Sequence, residues 1–180
     1  MLNFTFYLCL ALIPIMGSAY EQAFAKTNVG EFEIKALPAA RLIACQTDAA
    51  YFEDNNHLFR PLFRYISSRD IAMTTPVEAE MNPGVMYFYI GSEVGSDALD
   101  TTESVSVHEA PKRLVASLGV RGGYSEHNFN KASAKLNAWL LKNPVYEATG
   151  KVRGIFWNGP FIPGFFKRFE VHIPVQLLKD

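Results

Sequence analysis

Apolar residues alternate with polar ones around Phe32 and Ile34 and then run together from Leu42 to Cys45, and the same succession returns at Val105 and Val107 and from Leu114 to Leu118. Alternation with a period of two predicts half-buried strands, and a short unbroken apolar run predicts a strand covered on both faces. The recurrence is in register: a shift of 73 residues places Pro38 on Pro111, Tyr51 on Tyr124, Glu53 on Glu126 and Asn55 on Asn128 without a gap. Each copy reads as strand, proline-marked turn, strand, helix. The pattern predicts one domain of two related halves packed face to face.

Helical spacing is clear from Asn128 to Lys142, where Phe129, Ala132, Leu136, Trp139 and Leu140 share a face and the "KNP" that follows supplies a stop. Ser125 and Asp54 are placed to cap helix starts. The first helix, expected from about Glu53 to Ser67, carries Leu58, Phe59, Leu62, Phe63, Tyr65 and Ile66. These span an arc of roughly 160° at 100° per residue, wider than one contact face requires. Pro61 removes the amide that would pair with the carbonyl of His57, so a kink or a late start is expected there. Asn56, Arg60 and Arg64 follow the arc just past its edge, with His57 nearby. Aromatic rings beside guanidinium groups suit a flat apolar ligand with anionic groups, although packing under a loop would account for the same rings.

Strand-like segments follow each helix, and the Pro-Gly pairs at Pro83-Gly84 and Pro163-Gly164 mark corresponding turns. About eight strands joined mostly by short connections favour antiparallel pairing, and with two helices outside the sheet they predict an α+β barrel. With 49% apolar residues in 180, the chain can bury a core. Seventeen basic against eighteen acidic residues leave no field to hold nucleic acid.

An uncharged apolar run from Phe4 to Met16 leads into "GSAYEQAFAK", which reads as a signal peptide over residues 1–19 with cleavage near 19 or 25. The run is shorter than the ~20 residues of a membrane span, so no stable anchor is expected after cleavage and the product is exported, periplasmic or secreted. The domain proper is expected over 26–180. Cys9 would leave with the signal, and Cys45 would remain as a buried small hydrophobe.

Chemistry is sparse in the pattern. His57, His108, His127 and His172 are scattered without metal spacing, and "GVRGGYSE" lacks a phosphate-binding lysine. Glu78, Glu80, Glu109 and Glu170 lie in strand-like segments where two of them would have to meet across a sheet to act as acid and base. Glu170 is expected to pair with Arg168. "IAMTTPV", Ile71 to Val77, is read as a structural junction, with Thr74 and Thr75 satisfying backbone groups where Pro76 interrupts a ladder.

"FRPLFRYIS", "IAMTTPV", "GGYSEHNF" and the terminal "GPFIPGFFKRFEVHIPV" together resemble the SOUL haem-binding protein family, from about Phe32 to Val175. The resemblance implies a distorted antiparallel β-barrel of two pseudo-symmetric halves with two outer α-helices, binding haem non-covalently, and other porphyrins, in a shallow apolar groove. The groove implied here has Asn56, Phe59, Arg60, Phe63 and Arg64 on one side and Phe161, Ile162 and Phe165 on the other. The first-strand histidine proposed as an iron ligand in some members is Ala36 here, which leaves His57 as the candidate metal ligand or no protein ligand at all. The usual Asn before the final Glu is Phe169, expected in the core. The implied function is that of a monomeric, non-enzymatic exported tetrapyrrole binder. Two alternatives stay open: a sensor or carrier for a non-haem apolar ligand, and a tetrapyrrole-modifying enzyme using Glu170 or Glu109.

Overall fold

The computed structural model describes residues 20–178 of the protein, so the expected signal segment and Cys9 lie outside the described residues. The first half contains strands β2 (Phe32–Leu37), β3 (Ala40–Gln46), β5 (Val77–Glu80) and β6 (Val85–Ile90), with helix α1 (Tyr51–Ser67) between β3 and β5. The second half repeats it with β7 (Ser106–Ala110), β8 (Arg113–Arg121), helix α2 (Glu126–Leu140), β10 (Arg153–Phe156) and β11 (Arg168–Leu177). Three short strands complete the set: β1 (Glu21–Gln22), β4 (Thr74–Thr75) and β9 (Tyr146–Ala148), which pairs with β11.

The main sheet runs β2-β8-β11-β10-β5-β6-β3-β7, and every pairing in it is antiparallel. Exchanging each strand for its counterpart in the other half reads the same order backwards, which is the sheet-level form of the sequence repeat. The halves are therefore joined edge to edge through β5 and β10, with Glu78 opposite Ile155, and not packed face to face as the sequence pattern led us to expect. Each half also lends its first strand to the other: β2 pairs with β8 and β7 with β3. Shared ladders of this kind satisfy backbone groups that two closed halves would leave as free edges. The sheet curls into a half-barrel.

Both helices lie on one side of the sheet. Leu58 and Leu62 of α1 and Phe129, Ala132 and Leu136 of α2 close over Ile43, Phe88, Phe169, Val171 and Ile173 in one core. Phe169 is buried between Tyr124 and Phe156, as expected for a core residue in that place. Cys45 is buried too, and burial raises its thiol pKa and keeps it protonated. Helix α2 is capped by the Ser125 side chain, which accepts from the Asn128 amide at 3.2 Å.

The break in α1 lies at Asp54 (φ −133°, ψ 19°), not at Pro61. Asp54 is held there by two side-chain bonds, accepting from the Thr47 hydroxyl at 3.0 Å and from His57 Nδ1. Local side-chain bonds of this type compete with helical geometry, whereas proline here adopts helical dihedrals and costs mainly one missing amide donor.

"IAMTTPV" is a junction, with a cis Thr75–Pro76 bond. Thr74 donates its hydroxyl to the Tyr89 carbonyl at 2.5 Å and Thr75 to the Glu21 carbonyl at 3.3 Å. The segment also receives the start of the described chain, because β1 pairs with β4 in parallel and the Ala23 amide donates to the Thr75 carbonyl at 2.8 Å. Residues 20–30 then run as a strap across the face of the sheet opposite the helices. Gly30 (φ +86°) donates to the Gly119 carbonyl at 2.8 Å, and a Cβ on Gly119 would stand 2.2 Å from the Asn28 carbonyl oxygen. Only glycine allows this approach.

Candidate functional site

The outer face of α1 presents the residues that the sequence singled out. Leu58, Leu62, Tyr65 and Ile66 take the inward side and are buried, which leaves the surplus of the arc outside. Phe59 and Phe63 stack at 5.6 Å with their planes 15° apart. Phe59 is half-buried with its edge against Phe88, while Phe63 is 48% exposed. Asn56, His57, Arg60 and Arg64 are exposed around them. Among the described residues neither Arg60 nor Arg64 forms an ion pair or a side-chain hydrogen bond. His57 gives its Nδ1–H to Asp54, which leaves Nε2 as the ring nitrogen with a free lone pair.

The second group lies on the connection between β10 and β11, which is longer than the β5–β6 turn it corresponds to. Its base is tied by Tyr124, whose hydroxyl accepts from the Asn158 amide at 2.8 Å and donates to the Arg168 carbonyl at 2.7 Å; burial pushes this phenol up to about 12. A Cβ on Gly164 would stand 3.6 Å from the Gly123 Cα, so the loop lies directly on the turn that leads into the second helix. Its tip is apolar and exposed. Phe161 is 97% and Phe165 68% exposed, with Ile162 and Phe166 beside them. A soluble surface seldom carries such a contiguous group without a contact to make.

The structure thus brings together the helix residues on one face and the loop residues at one tip. Among the described residues no ring of one group touches a ring of the other: Phe59 meets Phe63 and Phe88, and Phe165 meets Phe166. A depression of about 170 Å³ beside Arg64, Tyr65 and Arg69 is smaller than the ~300 Å³ at which small-molecule cavities begin. A flat ligand would have to lie on this surface.

Sequence reasoning missed the opposite face of the sheet. Glu78 and Glu170 stand in one row on either side of Ile155, so they do not meet, and each is 1% exposed. Glu78 accepts from Arg113 at 2.8 Å, from Arg153 and from the Tyr89 hydroxyl. Burial opposes its charge, but the two guanidinium groups prevail and lower its pKa. Glu170 is not the partner of Arg168, which is exposed on the strand. It accepts from five residues: the Thr27 amide (2.9 Å), with the Thr27 hydroxyl also at 3.0 Å, Lys35 (2.7 Å), Ser117 (3.0 Å), the Trp157 indole (2.8 Å) and His172 Nε2 (2.7 Å). His172 is 1% exposed, and burial lowers its pKa so that it is neutral. Its Nδ1 is a buried side-chain atom without a hydrogen-bond partner. The one available signal was alternation: Tyr87 and Tyr89, and Glu170 and His172, are two residues apart on their strands, so each pair shares a face, and the register puts Glu78 opposite Tyr87 on that same face.

The family model described as "SOUL heme-binding protein" matches residues 19–174. The chain belongs to the SOUL family. Membership carries haem or tetrapyrrole binding as the family's character, in a family of binding proteins. No curated protein is similar in sequence. Among solved structures, the C-terminal domain of EcmrR superposes with a TM-score of 0.65 at 15% identity, over 82% of this chain and 98% of that one. The chain spans 58% of the EcmrR chain in its DNA complex. A hydrolase from Listeria innocua gives 0.59 at 10% identity, over 83% and 94% of the two chains. SAV2435 bound to tetraphenylphosphonium gives 0.52 at 8%, over 81% and 94%. At these identities the likeness shows that the SOUL fold is shared, an α+β half-barrel with two helices.

Proposed function

We propose that this SOUL-family chain is an exported, non-enzymatic protein that holds haem or a related tetrapyrrole reversibly on the outer face of α1, with the Phe161–Phe165 tip as the second wall. The observation that carries this reading is the Phe59–Phe63 stack beside two unpaired arginines. Parallel rings offer a platform for a macrocycle, and Arg60 and Arg64 offer charge to its carboxylates. Export is proposed with cleavage after Ala19, supported by the roles of Ala23 and Phe24 in anchoring the strap; cleavage after Ala25 would discard both.

His57 lies about 160° around the helix from Phe59, so a macrocycle centred on the stack is out of its reach. The macrocycle would therefore be held by contact with its faces and edges, with no histidine of α1 on its iron.

The test is a titration of the mature protein with hemin and with its dimethyl ester, repeated on Arg60→Glu, Arg64→Glu and His57→Ala. Charge reversal is expected to weaken the acid about tenfold or more and the ester little. His57→Ala is expected to leave the Soret position unchanged. Equal losses for acid and ester would remove the arginine role, and a Soret shift in His57→Ala would restore the histidine as ligand.

A further inference from the structure

The strap places three kinds of group on the polar face of the sheet. Phe24 sets its ring edge-on to Tyr89 (5.6 Å) and Trp157 (5.4 Å) and against His172 (5.8 Å). Lys26 holds its ammonium 4.9 Å from the Trp157 ring. Thr27 donates its amide to Glu170, and its hydroxyl, with one hydrogen to give, lies 2.6 Å from Glu33. Beyond these anchors the strap is held by a two-residue ladder to β4, a single bridge from Val29 to Gly119 and the Lys35 ammonium on the Ala25 and Thr27 oxygens, and of its residues only Thr27 is buried. Few buried contacts hold it, the condition for local opening.

What lies beneath is more elaborate than a cover needs. The connected side chains of the face include four carboxylates, Glu33, Glu78, Glu80 and Glu170, against the three cations Lys35, Arg113 and Arg153. With the strap in place Lys26 balances the count; with it lifted the face is left one negative charge in excess. His172 Nδ1 stays buried and unpartnered even under the strap, an acceptor with no donor. Buried acceptors are normally satisfied, and an exception points to a missing partner.

We propose that this face is a second binding site, for an aromatic organic cation, and that the strap occupies it in place of that ligand. The ring replaces Phe24 between Tyr89 and Trp157. The cation takes the place of Lys26 on the indole face of Trp157. An N–H of the same molecule supplies the donor that His172 Nδ1 lacks. Strap and ligand compete, so affinity is reduced by the fraction of molecules in which the strap is closed. The site is on the opposite face of the sheet from α1 and binds independently of the Phe59–Phe63 groove.

The test uses proflavine, a fluorescent aromatic cation, with the mature chain. Strap opening is promoted in two unrelated ways: by Phe24→Ala with Lys26→Ala, and by Gly119→Ala, whose Cβ would strike the Asn28 carbonyl oxygen. Both variants are expected to bind one proflavine at least about tenfold more tightly than the parent chain. A synthetic peptide of residues 20–30 is expected to displace the dye, and the same peptide lacking the Phe24 and Lys26 side chains to fail. The Phe59→Ala, Phe63→Ala variant is expected to retain parental proflavine binding. No gain in either strap variant, or failure of the native peptide to compete, overturns the proposal. So does equal binding of the anion 1-anilinonaphthalene-8-sulfonate, which would make the site merely apolar, or loss of dye binding in the helix variant, which would put the dye in the other groove.

Discussion

Replacing Phe59 and Phe63 together by alanine is expected to reduce hemin affinity by a hundredfold or more, which at about 1.4 kcal/mol per factor of ten is roughly 3 kcal/mol. Truncating a well-placed aromatic anchor typically costs about 2 kcal/mol or more, and here the two rings are stacked 5.6 Å apart and form one surface. The loss should be shared unequally in stability. Phe63 is 48% exposed and contributes little to the fold, whereas Phe59 rests on the buried Phe88 and its removal leaves a partial void. Phe63→Ala alone is therefore the cleaner probe: its melting temperature should stay near that of the parent while hemin affinity falls about tenfold. Measurement is by titration of the Soret band, with thermal melts as control. A saturable one-to-one shift that survives in the double variant would place the tetrapyrrole elsewhere and end the helix-groove reading.

Glu170→Gln is expected to lower stability by about 3 kcal/mol at neutral pH, and the difference should shrink in acid. Burial by itself would raise the pKa of this carboxyl, but the hydrogen bond from His172 and the charge and hydrogen bond of Lys35 hold it down to about 2, against an ordinary 4.5. A group depressed in the folded state binds fewer protons there than in the unfolded chain. Its contribution is therefore complete above about 4.5 and is lost as pH falls toward about 2. A shift of this size corresponds to about 3 kcal/mol, or a melting temperature lower by roughly 6–12 °C for a chain of this length. The amide also keeps an acceptor oxygen but cannot satisfy donors from five residues, and it leaves Lys35 without its short ion pair. Thermal melts from pH 7 to pH 2 measure both effects. Parallel curves for parent and variant, with no convergence below pH 4.5, would show that the carboxylate is not held ionised by its neighbours.

Much of the fold was legible before the structure. The gap-free match of Pro38 to Pro111 and Tyr51 to Tyr124 carries the two-half plan, and the eight strands of the main path agree with the count expected from alternation. The surplus arc of α1 was also readable, because a helix has one inward face and Phe63 falls beyond it. The break at Asp54 was not. Proline announces itself in a sequence, whereas the hold of Thr47 on Asp54 depends on where the preceding loop returns.

The polar face shows the same limit more sharply. Glu170 and His172 are two residues apart on one strand and so share a face by local geometry. Nothing local says that Lys35, Ser117, Trp157 and Thr27 arrive around them. Lys35 reaches Glu170 because β8 lies between β2 and β11, and Arg113 and Arg153 reach Glu78 from two different strands of the second half. An assignment of Glu170 to its neighbour Arg168 follows from sequence distance, and it fails because the strand exchange supplies a partner 135 residues away.

The sequence by itself therefore determined the elements, their repetition, the family and the outward aromatic face of α1, since each depends on periodicity within a single segment. Only the tertiary structure decided that the halves join by their edges, that the strap crosses the sheet, and that a network of buried charge lies under Phe24. Those arrangements come from pairing between strands far apart in the chain, and the energy that selects them is shared among partners that no local pattern brings together.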